Sequence, residues 1–202
     1  MKQLYGWIRH INDLKGEEWF GRPWILLGTG PSLDNFKASD WKEHNICAIY
    51  DAYYACDYVD LLFVSDYWHV KNTYHEKYWK HDNVRYVGTR SINIIHIGNE
   101  SNVVMWDYDC DQHKYSVRIF NDVPQYPCSN TSSLAVLYLA RMGVKEIKTF
   151  GIDGGKGYSK FVSETYRKKA DDYFSKLLHD FNVENGGVYG HAAAHGVKLI
   201  KM

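Results

Sequence analysis

The stretch Trp24-Ile25-Leu26-Leu27-Gly28-Thr29-Gly30-Pro31-Ser32-Leu33 decides the fold. Four apolar residues without alternation read as a strand buried on both faces, the situation of strands in a parallel sheet. The Gly-x-Gly that follows lets the chain turn tightly and come close to whatever lies opposite. A helix starting there would point its first N–H groups at an anion, with Ser32 or Asp34 as its cap. The loop is not a dinucleotide fingerprint, which would need glycine where Leu33 stands, and it lacks the Lys-Ser/Thr ending of a P-loop. Taken alone, it fits a ligand loop and an ordinary strand-to-helix turn equally well.

Similar apolar runs recur outward from it: Ile46-Cys47-Ala48-Ile49-Tyr50, Leu61-Leu62-Phe63-Val64, Val84-Arg85-Tyr86-Val87, Ile147-Lys148-Thr149-Phe150 and Val197-Lys198-Leu199-Ile200. Between them lie helical candidates. The clearest is 132–142, where small and apolar residues fill nearly every position before Gly143, a good residue to end a helix. A second runs over 163–181 with alternating charge, and a short amphipathic helix with Tyr5, Trp7, Ile8, Ile11 and Leu14 is expected near the start. Strand and helix in alternation predict one α/β domain over 1–202, its mostly parallel sheet flanked by helices on both faces. Residues 91–126 break the rhythm and are expected to form an inserted hairpin or a lid.

Composition narrows the function classes. The 202 residues carry 24 Lys+Arg against 24 Asp+Glu, and 45% of them are hydrophobic, which excludes intrinsic disorder and lacks the basic excess of a non-specific nucleic-acid binder. The 17 Tyr, 7 Trp and 8 Phe make 16% of the chain; such rings pack cores, and Tyr also lines sites for bases and sugars. Cys47, Cys56, Cys110 and Cys128 form no Cys-x-x-Cys and are expected to be reduced thiols in a cytoplasmic protein. No apolar run is long enough to span a bilayer.

Two further segments carry chemistry. Ser129-Asn130-Thr131-Ser132-Ser133 places hydroxyl and amide groups at a helix start, and Phe150-Gly151-Ile152-Asp153 puts an Asp at a strand's carboxyl end, where open α/β sheets bind ligands. A plain helix cap and a turn Asp would look the same. Together, Gly-x-Gly-Pro-Ser-Leu, the polar start of a small-residue helix ending Gly-x-Lys-Glu-Ile, and Gly-Ile-Asp resemble the bacterial family 42 sialyltransferases. They also resemble the wider group similar to archaeal 6-hydroxymethylpterin pyrophosphokinase. The resemblance covers roughly 24–158 and implies a Rossmann-like sheet with a nucleotide at the carboxyl ends of its strands.

Position by position, the resemblance implies that Gly28, Thr29, Gly30, Pro31 and Ser32 face the donor, with Thr29 where the family has an Asn beside the phosphate. It places Asp51 and Ser65 at two further Asn positions, and Thr131 and Ser132 at the helix start holding the nucleotide. Asp153 corresponds to the Asp on the ribose, and Tyr158 to a phosphate-binding Tyr. Because several Asn are replaced, the resemblance does not fix cytidine as the base.

The family's catalytic His has no counterpart between Gly157 and Tyr173. In Tyr189-Gly190-His191-Ala192-Ala193-Ala194-His195, Tyr-Gly-His resembles the stretch carrying the family base, so His191 is the candidate general base, ahead of His179 and His195. A helix-surface or core histidine is the plainer alternative. His191 and His195 stand four apart, as in zinc sites, but no third ligand is indicated and no metal site is assigned. The one cofactor left open is Mg²⁺ arriving with a nucleotide donor, with Asp107, Asp109 and Asp111 either its ligands or a solvated acidic loop. The stretch Tyr67-Trp68-His69-Val70-Lys71 with Tyr74, Tyr78 and Trp79 is either an acceptor platform or a packing seam.

The leading reading is a nucleotide-dependent transferase, a glycosyltransferase moving a sugar from a nucleotide-sugar donor to a hydroxyl on a glycan or modified small molecule. Alternatives are an ATP-dependent pyrophosphokinase of the 6-hydroxymethylpterin type and a non-catalytic nucleotide binder. A nucleic-acid acceptor would need Lys71, Lys77, Lys80, Arg85 and Arg90 on one face. A homo-oligomer is compatible with the sequence.

Overall fold

The computed structural model describes residues 11–64, 82–90, 103–106, 118–120, 123–125, 131–153, 157–164, 167 and 188–202. Its centre is a seven-stranded parallel sheet formed by β1 (Trp24–Leu27), β2 (Asn45–Ile49), β3 (Val59–Val64), β4 (Val84–Arg90), β5 (Val103–Trp106), β8 (Glu146–Phe150) and β9 (Lys198–Lys201). Their order across the sheet is β5-β4-β3-β2-β1-β8-β9. β1, β2 and β3 are buried along their whole length, which is why they carry apolar runs rather than alternation. The exception in β3, Asp60, accepts the Ile46 N–H through Oδ2 and lies 3.4 Å from Arg85 Nε.

The α-helix α1 (Thr131–Arg141) packs against β2 and β3 with nearly every residue buried, as its small-residue composition requires. It ends in a Schellman arrangement: Gly143 has φ +98°, its N–H reaches Ala140 O, and Val144 N–H reaches Leu139 O. The short helix α2 (Val188–Ala194) packs on α1 and β9. On the opposite face, Phe150 of β8 meets Phe36 and Trp41 edge-on, with ring centroids 5.2 and 5.9 Å apart.

Three expectations change. The glycine loop does not open an α-helix. Pro31–Asn35 is a 3₁₀ turn, and the connections around β2 are further 3₁₀ turns at Ala38–Trp41 and Tyr50–Ala55. The chain leaves the first turn at an extended Phe36, whose ring is needed against Phe150. Within 91–126, Val103–Trp106 joins the main sheet as β5, while β6 (Arg118–Phe120) and β7 (Val123–Gln125) form a separate antiparallel pair. Near the start, the described part is a 3₁₀ helix, Ile11–Gly16, burying Ile11 and Leu14. Of the 163–181 candidate, one helical bond from Arg167 N–H to Ser163 O lies within the described residues. Cys47 and Cys56 are buried free thiols, and burial pushes Cys56 up to about 12.

Candidate functional site

Strand order reverses between β1 and β8: strands β2 to β5 extend to one side of β1, while β8 and β9 lie on the other. A crevice at the carboxyl ends beside such a switch point is where open α/β sheets bind ligands. The two loops singled out from sequence, 28–32 and 151–153, meet there.

They are joined directly. Gly28 N–H donates to Phe150 O and Gly30 N–H to Gly151 O, at 2.8 and 2.9 Å. Ser32 N–H donates to Asp153 Oδ2, and Gly151 N–H to Ser32 Oγ, both at 2.7 Å. A Cβ on Gly28 would stand under 3.0 Å from the Gly151 carbonyl oxygen, and one on Gly30 would collide with the Asp153 carboxylate. The glycines thus permit a close approach, as expected, but what approaches is the second loop. Most of the N–H groups expected to cradle an anion are consumed in the process.

A strap, residues 157–163, crosses this junction. Ser159 N–H donates to Thr29 O at 2.9 Å, and Gly157 lies against the Pro31 ring. Two carboxylates pin the strap. Asp34 Oδ1 accepts Ser159 Oγ–H and Lys160 N–H, and Asp51 Oδ2 accepts Ser163 N–H and Oγ–H. The Ser159 hydroxyl, ahead of the Lys160 amide and charge, holds Asp34 below the usual carboxylate range. Arg167 closes the far end by donating to Ser159 O and Val162 O.

The strap places half-buried Tyr158 beside Thr29. It also gives Asp51 a use not foreseen: fully buried, it anchors Ser163 rather than standing open to a ligand. Next to it, Tyr50 holds a left-handed φ of 46° and accepts a hydrogen bond from Thr131 Oγ1 at 3.1 Å. A bulky residue keeps that backbone only where its surroundings enforce it, and Tyr50 is 2% exposed. The structure therefore links Gly28 to Ser32, Asp51, Thr131, Asp153 and Tyr158 through hydrogen bonds and chain adjacency, with Ser132 beside Thr131 half-buried at the start of α1.

Ser65, His179, the aromatic-basic stretch 67–79 and the acidic 107–111 lie outside the described residues, as does the side chain of His191, whose backbone is in α2. Tyr189, at the start of α2, approaches Thr149 Oγ1 near the carboxyl end of β8 at 3.3 Å. His195 follows α2 at the other end of the sheet, where burial and the Arg141 charge depress its pKa. That position removes it as a base for this crevice. Arg85 and Arg90 sit at opposite ends of β4, roughly 16 Å apart at strand spacing, and Arg85 is engaged by Asp60 and Tyr58. Lys71, Lys77, Lys80 and the side chain of Arg90 lie outside the described residues. Among the described residues no three His, Cys, Asp or Glu side chains are gathered to hold a metal ion.

Sequence reading missed Lys201, whose Nζ lies 3.5 Å from Asp153 Oδ1. It also missed Ser159 and Ser163, which mean nothing until their partners are known. Lys201 had a usable signal: it ends the last strand of a parallel sheet, on the side where ligands bind.

No protein-family model matches the chain, and no curated protein matches it. Solved structures do. The sialyltransferase Cst-II in complex with CMP is 14% identical, with a TM-score of 0.54 over 89% of this chain and 80% of that one. The Campylobacter jejuni sialyltransferase CstII with the substrate analogue CMP-3FNeuAc is 16% identical, with a TM-score of 0.50 over the same shares. The monofunctional α-2,3-sialyltransferase Cst-I of Campylobacter jejuni is 14% identical, with a TM-score of 0.51 over 89% of this chain and 75% of that one. The chain shares the Rossmann-like α/β fold of these glycosyltransferases. No helix among the described residues is long and apolar enough to cross a membrane.

Proposed function

We propose that the chain is a nucleotide-dependent transferase, a glycosyltransferase that moves a sugar from a nucleotide-sugar donor to a hydroxyl acceptor. The observation that carries this reading is the joined pair of loops, 28–32 and 151–153, at the switch point between β1 and β8. It stands in a fold shared with an enzyme solved with CMP. The donor nucleotide would lie over that junction, with Thr29, Asp153 and Tyr158 nearest to it and Thr131 and Ser132 at its far side. Asp153 would keep lone pairs for a ribose hydroxyl while holding Ser32. Catalysis would rest on positioning and on stabilising the leaving phosphate, with His191 taking the acceptor proton. Any Mg²⁺ would enter with the donor phosphates.

A thermal-shift screen of the full chain against CMP, UDP, GDP, ATP and sugar conjugates, with and without Mg²⁺, tests this, because a ligand of the folded state raises the melting temperature. A rise with a sugar nucleotide, reduced by Asp153→Asn and followed by transfer to an acceptor, is the expected result. A rise with ATP and Mg²⁺ alone points to pyrophosphoryl transfer onto a pterin-like hydroxymethyl group. Tight binding with no turnover, unchanged by His191→Ala, identifies a non-catalytic binder; no shift with any nucleotide removes the reading.

A further inference from the structure

Among the described residues, the 28–33 loop keeps few donors for an anion. Gly28, Gly30, Ser32 and Leu33 have their N–H groups bound to Phe150 O, Gly151 O, Asp153 Oδ2 and Gly30 O, and Pro31 has none. The following turn is five residues of 3₁₀ helix, too short to focus a helix dipole. In the middle stands the Asp153 carboxylate, 11% exposed. A phosphate entering here meets the Asp153 carboxylate and, in the 28–33 loop, the Thr29 amide rather than a row of them, so a cationic side chain would supply attraction that the loop does not.

Lys201 occupies the position such a side chain needs. It is the last residue of β9, which pairs with β8 in the register Thr149 to Lys201, so its stem projects where the 151–153 loop begins. Its Nζ stands 3.5 Å from Asp153 Oδ1, while its side chain stays 58% exposed. An ammonium has three donors, and Asp153 can take one of them. The 58% exposure of the side chain leaves the ammonium accessible for a second partner. The same charge offsets the carboxylate that would otherwise repel a phosphate.

We propose that Lys201 is the residue by which this site selects a phosphorylated ligand: its ammonium neutralises Asp153 and donates to a non-bridging phosphate oxygen of the nucleotide. The inference rests on the nucleotide reading above. A neutral side chain here would leave a nucleoside recognised as before and its phosphate unrewarded.

Calorimetric titration of the full chain with CMP, UMP, GMP and AMP, each beside its own nucleoside, separates the possibilities. For the wild type, at least one monophosphate is expected to bind more tightly than its nucleoside, by a margin that shrinks as salt rises. Lys201→Met should weaken that monophosphate roughly tenfold and leave the nucleoside unchanged, and Lys201→Arg should retain most of the preference. Thermal melts confirm that both variants fold. Unchanged monophosphate affinity in Lys201→Met overturns the assignment and leaves the nucleotide site standing. Equal weakening of monophosphate and nucleoside also overturns it, because Lys201 would then act only by positioning Asp153. If no monophosphate binds the wild type, the nucleotide reading and this inference fall together.

Discussion

Ser32 and Asp153 are locked reciprocally. The Ser32 N–H donates to Asp153 Oδ2 at 2.7 Å, and the Ser32 hydroxyl oxygen accepts the N–H of Gly151, two residues before that Asp, at the same distance. One residue of the β1 loop thus serves as donor and acceptor to the β8 loop, fixing the two sides of the switch-point crevice before any ligand arrives.

Ser32→Ala removes the acceptor and leaves the buried Gly151 N–H unsatisfied, a defect that costs about 1–3 kcal/mol. Equilibrium urea unfolding should show that loss with an unchanged denaturant slope. A loss below about 0.5 kcal/mol would mean that water replaces the hydroxyl and the lock is ornamental.

Gly28→Ala should be worse than its single methyl group implies. The new Cβ would meet the Gly151 backbone carbonyl, which cannot swing aside, so about 2 kcal/mol or more is expected from separating the loops. Gly16→Ala is the matched control: nothing lies within 4 Å of its Cβ, and its stability should stay within about 0.5 kcal/mol of wild type. Parallel thermal melts of the two variants decide it.

These glycines also mark how far sequence reading reached. The strands containing Trp24, Ile46 and Leu61 were legible because double burial writes itself as apolar runs, and those at Val84, Ile147 and 197–200 because β-branched and aromatic residues recur there between single polar ones. β5 was not, since Val103 to Trp106 follows a stretch without helical period and so looked inserted. Gly28 and Gly30 were marked for close approach, but a sequence does not say what approaches. The Asp34–Ser159 and Asp51–Ser163 pairs span separations of 125 and 112 residues, and neither serine carries a local signal. Lys201 carried the signal of ending a strand, but its partner Asp153 is identified only once β9 is known to lie beside β8.

Stability should fall as pH drops below about 6.5. His44 is held below its ordinary value of 6.5 by burial first and by the Lys148 ammonium second, against a weaker opposing pull from Glu43. His195 is depressed by burial and then by Arg141. Both bind protons less readily folded than unfolded, so their contribution is complete above 6.5 and is lost as pH falls through the folded-state values. Urea midpoints measured from pH 8 to 5 should decline for the wild type and flatten in the His44→Asn, His195→Asn double variant. An equal slope in both proteins would place the titration elsewhere.

The last prediction separates two uses of Asp51. If its main work is to anchor the strap, Asp51→Ala removes both bonds to Ser163 and Ser163→Ala removes the hydroxyl one, so the double variant should be little worse than Asp51→Ala alone. The cycle should then return a coupling of about 0.5–3 kcal/mol. Hydrogen exchange at 159–163 should quicken in all three variants, because Ser163 N–H loses its acceptor or the strap its hold. Nucleotide affinity should fall in all three, most where Asp51 is replaced, since Tyr158 adjoins Ser159, whose N–H ties the strap to Thr29 O. If instead Asp51 contacts the nucleotide, Asp51→Ala should weaken binding while Ser163→Ala leaves it untouched. Burial favours the first outcome: a carboxylate with 0% exposure, already accepting two hydrogen bonds, must break them before it can meet a ligand.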